Sequence, residues 1–330
     1  MKNREFLRWI GVSAAGCLVS LGACAAGGTG VSAVDSVAMT VANSDVSRAF
    51  YEKVLNFEFV SDTEVSGEAY EHLYGVFGLR LRIVTLKLGD ERLRLEQFIA
   101  PQGRPFPVDS RSNDHWFQHV AIIVSNMDRA FAWLREHHVA FASSGPQVLP
   151  LSNKQAAGIS AFYFRDPDGH YLEVLHFPDD KGSPKWHEPG GRLFLGIDHT
   201  AIVVADTDSS LKFYRDTFGL AIVGTSENFG TEQEHLNNVF GARLRITTLH
   251  APRGPGVELL EYLTPGDGRA MPADTRANDL WHWQINLSGD VDSVEHSVRQ
   301  NHYRLIGKST GIMIGDPDGH ASLLESAPHP

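Results

Sequence analysis

Glu71-His72-Leu73 with Val76-Phe77-Gly78 returns later in the chain as Glu234-His235-Leu236 with Val239-Phe240-Gly241, and at the same spacing Arg82-Ile83 returns as Arg245-Ile246. A second set recurs at a slightly longer spacing. Gly103-Arg104, Pro107, Asp109, Arg111, Asn113-Asp114 and Trp116 reappear as Gly268-Arg269, Pro272, Asp274, Arg276, Asn278-Asp279 and Trp281. Asp166-Pro167-Asp168-Gly169-His170 comes back as Asp316-Pro317-Asp318-Gly319-His320. Whole constellations repeated at near-constant spacing mark a tandem duplication, and that sets the architecture before any single element is assigned.

Each half divides again. Alternating strands are predicted at 34–41, 118–124, 198–204 and 283–287. An amphipathic helix follows, such as 44–55 with Ser44 as N-cap, or 208–218, which stops at Gly219 where a C′ glycine is expected. More strands come next, for example 80–88 with 92–99 and 243–249 with 257–263. In the second and fourth quarters Asp-Pro-Asp-Gly falls between strands, with Pro and Gly where a type I hairpin turn wants them. The order strand, helix, strands thus runs four times.

The 330 residues suffice for two domains at roughly 100–200 residues each. With 42% hydrophobic and 21% charged residues, the chain has ample material for a core. A formal charge of −11 and the lack of any basic cluster exclude a phosphate backbone, and so a nucleic acid, as partner. Both cysteines, Cys17 and Cys24, fall in the opening segment, where a positive start (Lys2, Arg4, Arg8) precedes a weakly apolar stretch too short for a stable span. Residues 1–24 read as an export signal. Leu21-Gly22-Ala23-Cys24 resembles a bacterial lipobox, which makes Cys24 the expected lipidation site, with plain cleavage near Ala26 the alternative. Arg4-x-Phe6-Leu7-Arg8 also looks like a twin-arginine signal with Asn3 in place of the first arginine. Residues 25–33 read as a flexible tether. The expectation is an exported, periplasmic or secreted protein that meets the membrane only through a lipid anchor. Its body has no cysteine for disulfides or thiol catalysis, and a monomer suffices.

Four βαβββ units, Phe50-Tyr51 and Phe213-Tyr214 in the helices, and Asp-Pro-Asp-Gly before the last strand resemble the vicinal oxygen chelate superfamily. That superfamily includes glyoxalase I, extradiol dioxygenases, methylmalonyl-CoA epimerase and bleomycin-resistance proteins. The resemblance covers 34–327. It implies an α+β fold in which four modules pair into two cupped mixed β-barrels with helices outside. On this reading a first glyoxalase-like domain spans 34–178 (modules 34–101 and 116–178), a linker 179–195, and a second domain 196–327 (modules 196–265 and 281–327).

In this family one divalent ion (nickel, zinc, cobalt, manganese or iron) is held by His or Gln on a first strand and Glu on a last strand. Imidazole and carboxylate suit such an ion and leave positions for substrate oxygens. The matching first-strand positions are Ser36, His119, His199 and Gln284; the last-strand positions are Arg94, Glu173, Glu258 and Leu323. Parity puts His119 on a face with Ala121, His199 with Ala201, Glu173 with Leu175 and Glu258 with Leu260. A carboxylate on an otherwise apolar face calls for a partner or a metal. Modules 2 and 3 together offer His119, Glu173, His199 and Glu258, whereas modules 1 and 4 cannot hold an ion, so crosswise pairing is expected. Sequential pairing would leave a fallback site of His199, Glu258 and Gln284. The other cup would turn Arg92, Arg94, Glu96, Gln284, Asn286 and Glu325 inward, as a solvated or internally paired face.

The resemblance to glyoxalase I and the epimerase implies that the metal polarises a carbonyl while Glu173 or Glu258 acts as general base. Isomerase or lyase chemistry on a small oxygen-chelating substrate is the leading expectation. Two histidines with one carboxylate would instead suit Fe(II) and oxygen, as in extradiol dioxygenases. A bleomycin-resistance type of ligand binder is the third reading, although it has no need of the four ligands. Export counts against thiol adducts and coenzyme A esters as substrates. Tyr171 and Tyr262 are expected to pack, and His72 and His235 to serve the fold.

Overall fold

The computed structural model describes residues 30–327, so the export segment, Cys24 and most of the tether lie outside the described residues. The first unit comprises β1 (Val31–Thr40), α1 (Ser44–Leu55), β2 (Glu58–Ser66), α2 (Glu68–Tyr74), β3 (Arg80–Leu88) and β4 (Glu91–Ala100). The second has β5 (Gln118–Val124), α3 (Met127–Glu136), β6 (Ala140–Phe141), β7 (Gln147–Val148), β8 (Ser160–Arg165) and β9 (Tyr171–His176). A third follows with β10 (Phe194–Val203), α4 (Thr207–Leu211, continued by π turns at Lys212–Thr217), β11 (Ala221–Phe229), α5 (Thr231–Asn237), β12 (Arg243–His250) and β13 (Gly256–Thr264). The fourth has β14 (Trp283–Gly289), α6 (Val291–Gln300), β15 (Arg304–Lys308), β16 (Gly311–Gly315) and β17 (Ala321–Ser326).

One sheet runs β15-β16-β17-β14-β1-β4-β3-β2 and the other β11-β12-β13-β10-β5-β9-β8-β6, with β7 paired on β8. Units one and four therefore share a sheet, as do units two and three. The seams are antiparallel, β1 on β14 and β5 on β10, and each is flanked by parallel pairs. Each sequence half, 34–178 and 196–327, gives one unit to each sheet. The sheets curl into cups and not closed barrels: β11 and β6 end their sheet without pairing to each other. The outer faces of β1, β4, β5, β8 and β9 share one apolar core with α1 and α3, through Val37, Leu95, Val120, Phe164, Val174 and Leu134. That burial leaves the inner faces for the polar residues.

Several local expectations shift. Asn43 caps α1 in place of Ser44, its Oδ1 accepting from the backbone of Asp45 at 2.9 Å and Val46 at 3.2 Å. β1 begins at Val31, inside the segment read as tether. The linker 179–195 contains a 3-10 turn, Pro184–His187, whose Trp186 is buried. The Glu-His-Leu repeats form α2 and α5, two short helices ended by left-handed Gly75 and Asn238, and His72 and His235 are exposed on them.

Both signature motifs meet in space. Asp166 in the Asp-Pro-Asp-Gly turn accepts from Tyr51 Oη at 3.2 Å and lies 2.8 Å from His170 Nδ1. Asp316 does the same with Tyr214 at 3.0 Å and His320 at 3.0 Å. In each half, a turn from one sheet thus clasps a helix attached to the other.

Candidate metal centre

At the seam of the second sheet His119 stands opposite Ala201, and Ala121 opposite His199. Alternation puts both imidazoles on the concave face as diagonal neighbours, ring centroids 5.6 Å apart. The flanking parallel strands set Glu173 beside Ala121 and Glu258 beside Ala201. His119 Nε2 lies 3.2 Å from Glu173 Oε2. His199 Nε2 lies 3.7 Å from that oxygen and 3.3 Å from Glu258 Oε2. Ligand atoms of His119, Glu173 and His199 fall within 4.8 Å of one another, while Glu258 stands outside this tight group. Its Oε1 is held by Thr248 Oγ1 at 2.7 Å, and it is the most exposed of the four.

The charges and donors of the cluster are of a kind that could hold a cation. His119 is buried and neither ring nitrogen makes a hydrogen bond, although Nε2 faces the Glu173 carboxylate. Such an orphaned group costs about 1–3 kcal/mol unless something takes up its lone pair. His199 Nδ1 points at Asp198 Oδ2, 3.0 Å away, and Trp186 Nε1 donates to Asp198 Oδ1 at 2.8 Å. This relay directs Nε2 of His199 toward the cluster, the arrangement that orients metal-bound imidazoles. Burial pulls the His199 pKa down, but the charges of Glu258, Asp198 and Glu173 outweigh it and lift the value to about 10. Burial works against ionisation of Asp198 too, yet its hydrogen bond with His199 holds it below the usual carboxylate range. Two imidazoles with neighbouring carboxylates are a donor set that fits a borderline divalent ion.

β13 runs close beside His199 because residue 256 is glycine: a Cβ there would come within 2.8 Å of His250 Nε2 and 3.3 Å of His199 Cβ. Tyr163, which sequence reading missed, pairs with Glu173 across β8 and β9 and sets its ring 5.0 Å from His119. Burial and the Glu173 charge push its hydroxyl pKa well up. Its place opposite a candidate ligand was the available signal. Tyr171 is tied down, donating to Ser110 O at 2.8 Å and accepting from Arg165 Nη2 at 2.6 Å. The Tyr262 hydroxyl is buried without a partner.

Gln284, the fallback ligand, belongs to the other cup. β14 pairs with β1 and not with β10, so Gln284 donates to Asn286 Oδ1 at 3.1 Å and Glu96 Oε1 at 3.3 Å, far from this cluster in the fold. That cup is internally paired: Arg94 and Tyr74 both reach Glu96 Oε1, at 2.9 and 3.1 Å, and Asn286 donates to Ser36 at 2.8 Å. Leu323 is apolar and buried there. Arg92 shares the face of Arg94 and Glu96 on β4, and Glu325 that of Leu323 on β17; both are exposed near the strand ends, and the Glu325 charge acts on Arg94 and Glu96.

The fold recurs in solved structures. Glyoxalase I from Zea mays superposes with a TM-score of 0.58 at 12% identity, over 88% of this chain and 91% of that one. A point mutant of the same maize enzyme gives 0.59 at 13% identity, over 88% and 91%. A Bacillus subtilis protein described as a candidate dioxygenase gives 0.56 at 14%, over 91% of this chain and 86% of that one. None of the curated proteins compared with the chain matches it. The sequence profile of one family matches both halves, at residues 33–174 and 196–322, and with the duplicated architecture this shows that the chain belongs to the Glyoxalase/Bleomycin resistance protein/Dioxygenase superfamily.

Proposed function

We propose that the protein is a metal-dependent enzyme of isomerase or lyase type that moves a proton on a small substrate chelating through two oxygens. The observation that supports this most is the division of labour among the carboxylates. Glu173 is enclosed with His119 and His199, whereas Glu258 stands at the edge of the cluster, partly exposed and oriented by Thr248. His119, Glu173 and His199 would hold the ion, with Glu258 close enough to join them. The bound ion supplies Lewis acidity toward a substrate carbonyl. Glu258 then serves as general base, its free oxygen facing the cluster while Thr248 fixes the other. Asp198 keeps His199 in the ligating tautomer. Tyr163, beside His119, walls the cup against water.

The three-residue His/Glu/His group also favours a second reading, an Fe(II) dioxygenase in which Glu258 is not a ligand. Metal analysis of the purified chain separates them, together with Glu258→Gln. About one equivalent of nickel, zinc, cobalt or manganese, retained in E258Q while solvent-deuterium exchange into hydroxy-carbonyl compounds is lost, supports proton transfer. Iron and oxygen uptake with catechols, both surviving in E258Q, would replace it with the dioxygenase. No binding of any of these ions would leave a ligand-binding protein. Export and lipidation at Cys24 belong to the same proposal, and a mature N-terminus without an acyl chain would remove the anchor from it.

A further inference from the structure

Two copies of one fold in a single chain serve as controls for each other. At one end of the cup bearing the metal cluster, Phe117 packs on Tyr171 with centroids 4.6 Å apart, and Phe106 closes in at 6.5 Å. Arg165 lies over Tyr171 and donates to Ser110 O at 3.0 Å. The repeat places His282, Ala321, Met271 and Gly315 at these four positions. Three aromatic rings and an arginine have given way to smaller side chains, and the other cup has a cavity of about 790 Å³ there, with Tyr74 and His282 among its lining residues.

The charges on its wall have changed as well. Asp274, Asp316 and Asp318 line it, and each is engaged: Asp274 with Arg104 at 3.1 Å, Asp316 with Tyr214 at 3.0 Å, and Asp318 with the backbone of Ala205 at 3.1 Å. Arg276 and Arg304 also line it, and neither makes an ion pair among the described residues. Their counterparts explain the difference. Arg111, the match of Arg276, pairs with Asp267 at 2.9 Å, but the residue matching Asp267 in the other copy is Gln102. Arg165 sits opposite Ala140 on β6, whereas in the other copy Gly315 sits opposite Arg304 on β15. The arginine has crossed to the neighbouring strand, into room that a Cβ at 315 would share with Arg304 Cδ at 3.5 Å, and has lost its acceptors.

We propose that this cavity binds a small oxyanion, a carboxylate or phosphate carried on a compact molecule, with Arg276 and Arg304 as its counter-charges. Two free guanidinium forks beside carboxylates already engaged suit such a ligand better than a cation. The site is separate from the metal cluster and does not depend on the reaction assigned to it.

Calorimetric titration of the full chain with inorganic phosphate, and separately with citrate, tests the assignment. One-to-one saturable binding is expected, weakened roughly tenfold or more in Arg276→Gln and in Arg304→Gln, each at an exposed position, with the far-ultraviolet circular dichroism and thermal midpoint of the parent retained. His119→Ala should bind as the parent does, which places the anion away from the metal cluster. Tighter citrate than phosphate identifies a carboxylate ligand, and the reverse a phosphate ligand. Failure of both probes to saturate overturns the proposal, as does unchanged affinity in both arginine variants.

Discussion

His282 lies buried with Nε2 3.4 Å from Gln284 Oε1, and burial drives its pKa down to about 4. In the unfolded chain the same imidazole titrates near 6.5, so between those values the unfolded state takes up the proton that the folded state refuses. The associated stability is fully present above about pH 6.5 and is lost as pH falls toward 4. The first repeat carries Phe117 at the matching position, so His282→Phe is a substitution the architecture tolerates. Urea denaturation at pH 7 and pH 4.5 should show the variant losing about 2 kcal/mol less than the parent. Equal losses in the two chains would show that His282 does not carry the acid sensitivity. At this scale the candidate ligands were legible, because period-two alternation puts His119, Glu173, His199 and Glu258 on inward faces whatever the strands pair with. Asp198 and Trp186 were not, because their roles arise from a contact between the linker turn and β10 that no local pattern encodes.

Among the elements, the clasps between turn and helix invite the sharpest test. The Asp166 carboxylate takes the Tyr51 hydroxyl, His170 Nδ1 and the backbone N–H groups of Asp168 and His170, all in a buried place. Asp166→Asn puts an amide donor among donors and removes the counter-charge of His170, at a cost of about 2–4 kcal/mol. Combined with Tyr51→Phe, the loss should be clearly less than the sum of the single losses, because the two side chains share one bond. Thermal unfolding of the four chains measures this, and strict additivity would mean that the bond does not couple helix and turn. Sequence reading found both motifs and the turn type. Their meeting was hidden, since α1 follows a strand of one sheet and the turn joins strands of the other. The cap of α1 failed for a smaller reason: Asn43 and Ser44 are both good N-cap formers, and only backbone geometry separates them.

For the molecule as a whole, crosswise pairing decides what can exist alone. All four first strands look alike in sequence, so their partners could be inferred only from which units kept metal-ligating residues, and the observed strand order agrees with that inference. Both seams, β1 on β14 and β5 on β10, join one sequence half to the other. Reciprocal ties reinforce them: Arg104 reaches Asp279 and Arg269 reaches Asp114, each at 2.7 Å, with the acceptor carboxylates buried. A half expressed alone would leave β1 and β5, or β10 and β14, as long unpaired edges with their apolar faces uncovered. Residues 30–178 and 196–327 produced separately should therefore fail to give folded monomers. Mixed or co-expressed, they should recombine into a one-to-one complex that regains the His119–His199 cluster. Light scattering after gel filtration, with cobalt absorption as the readout of the cluster, checks both statements. A half that is monomeric, cooperatively folded and unchanged on mixing would show that the seams contribute little to stability, and that each unit pair holds together through its clasp alone.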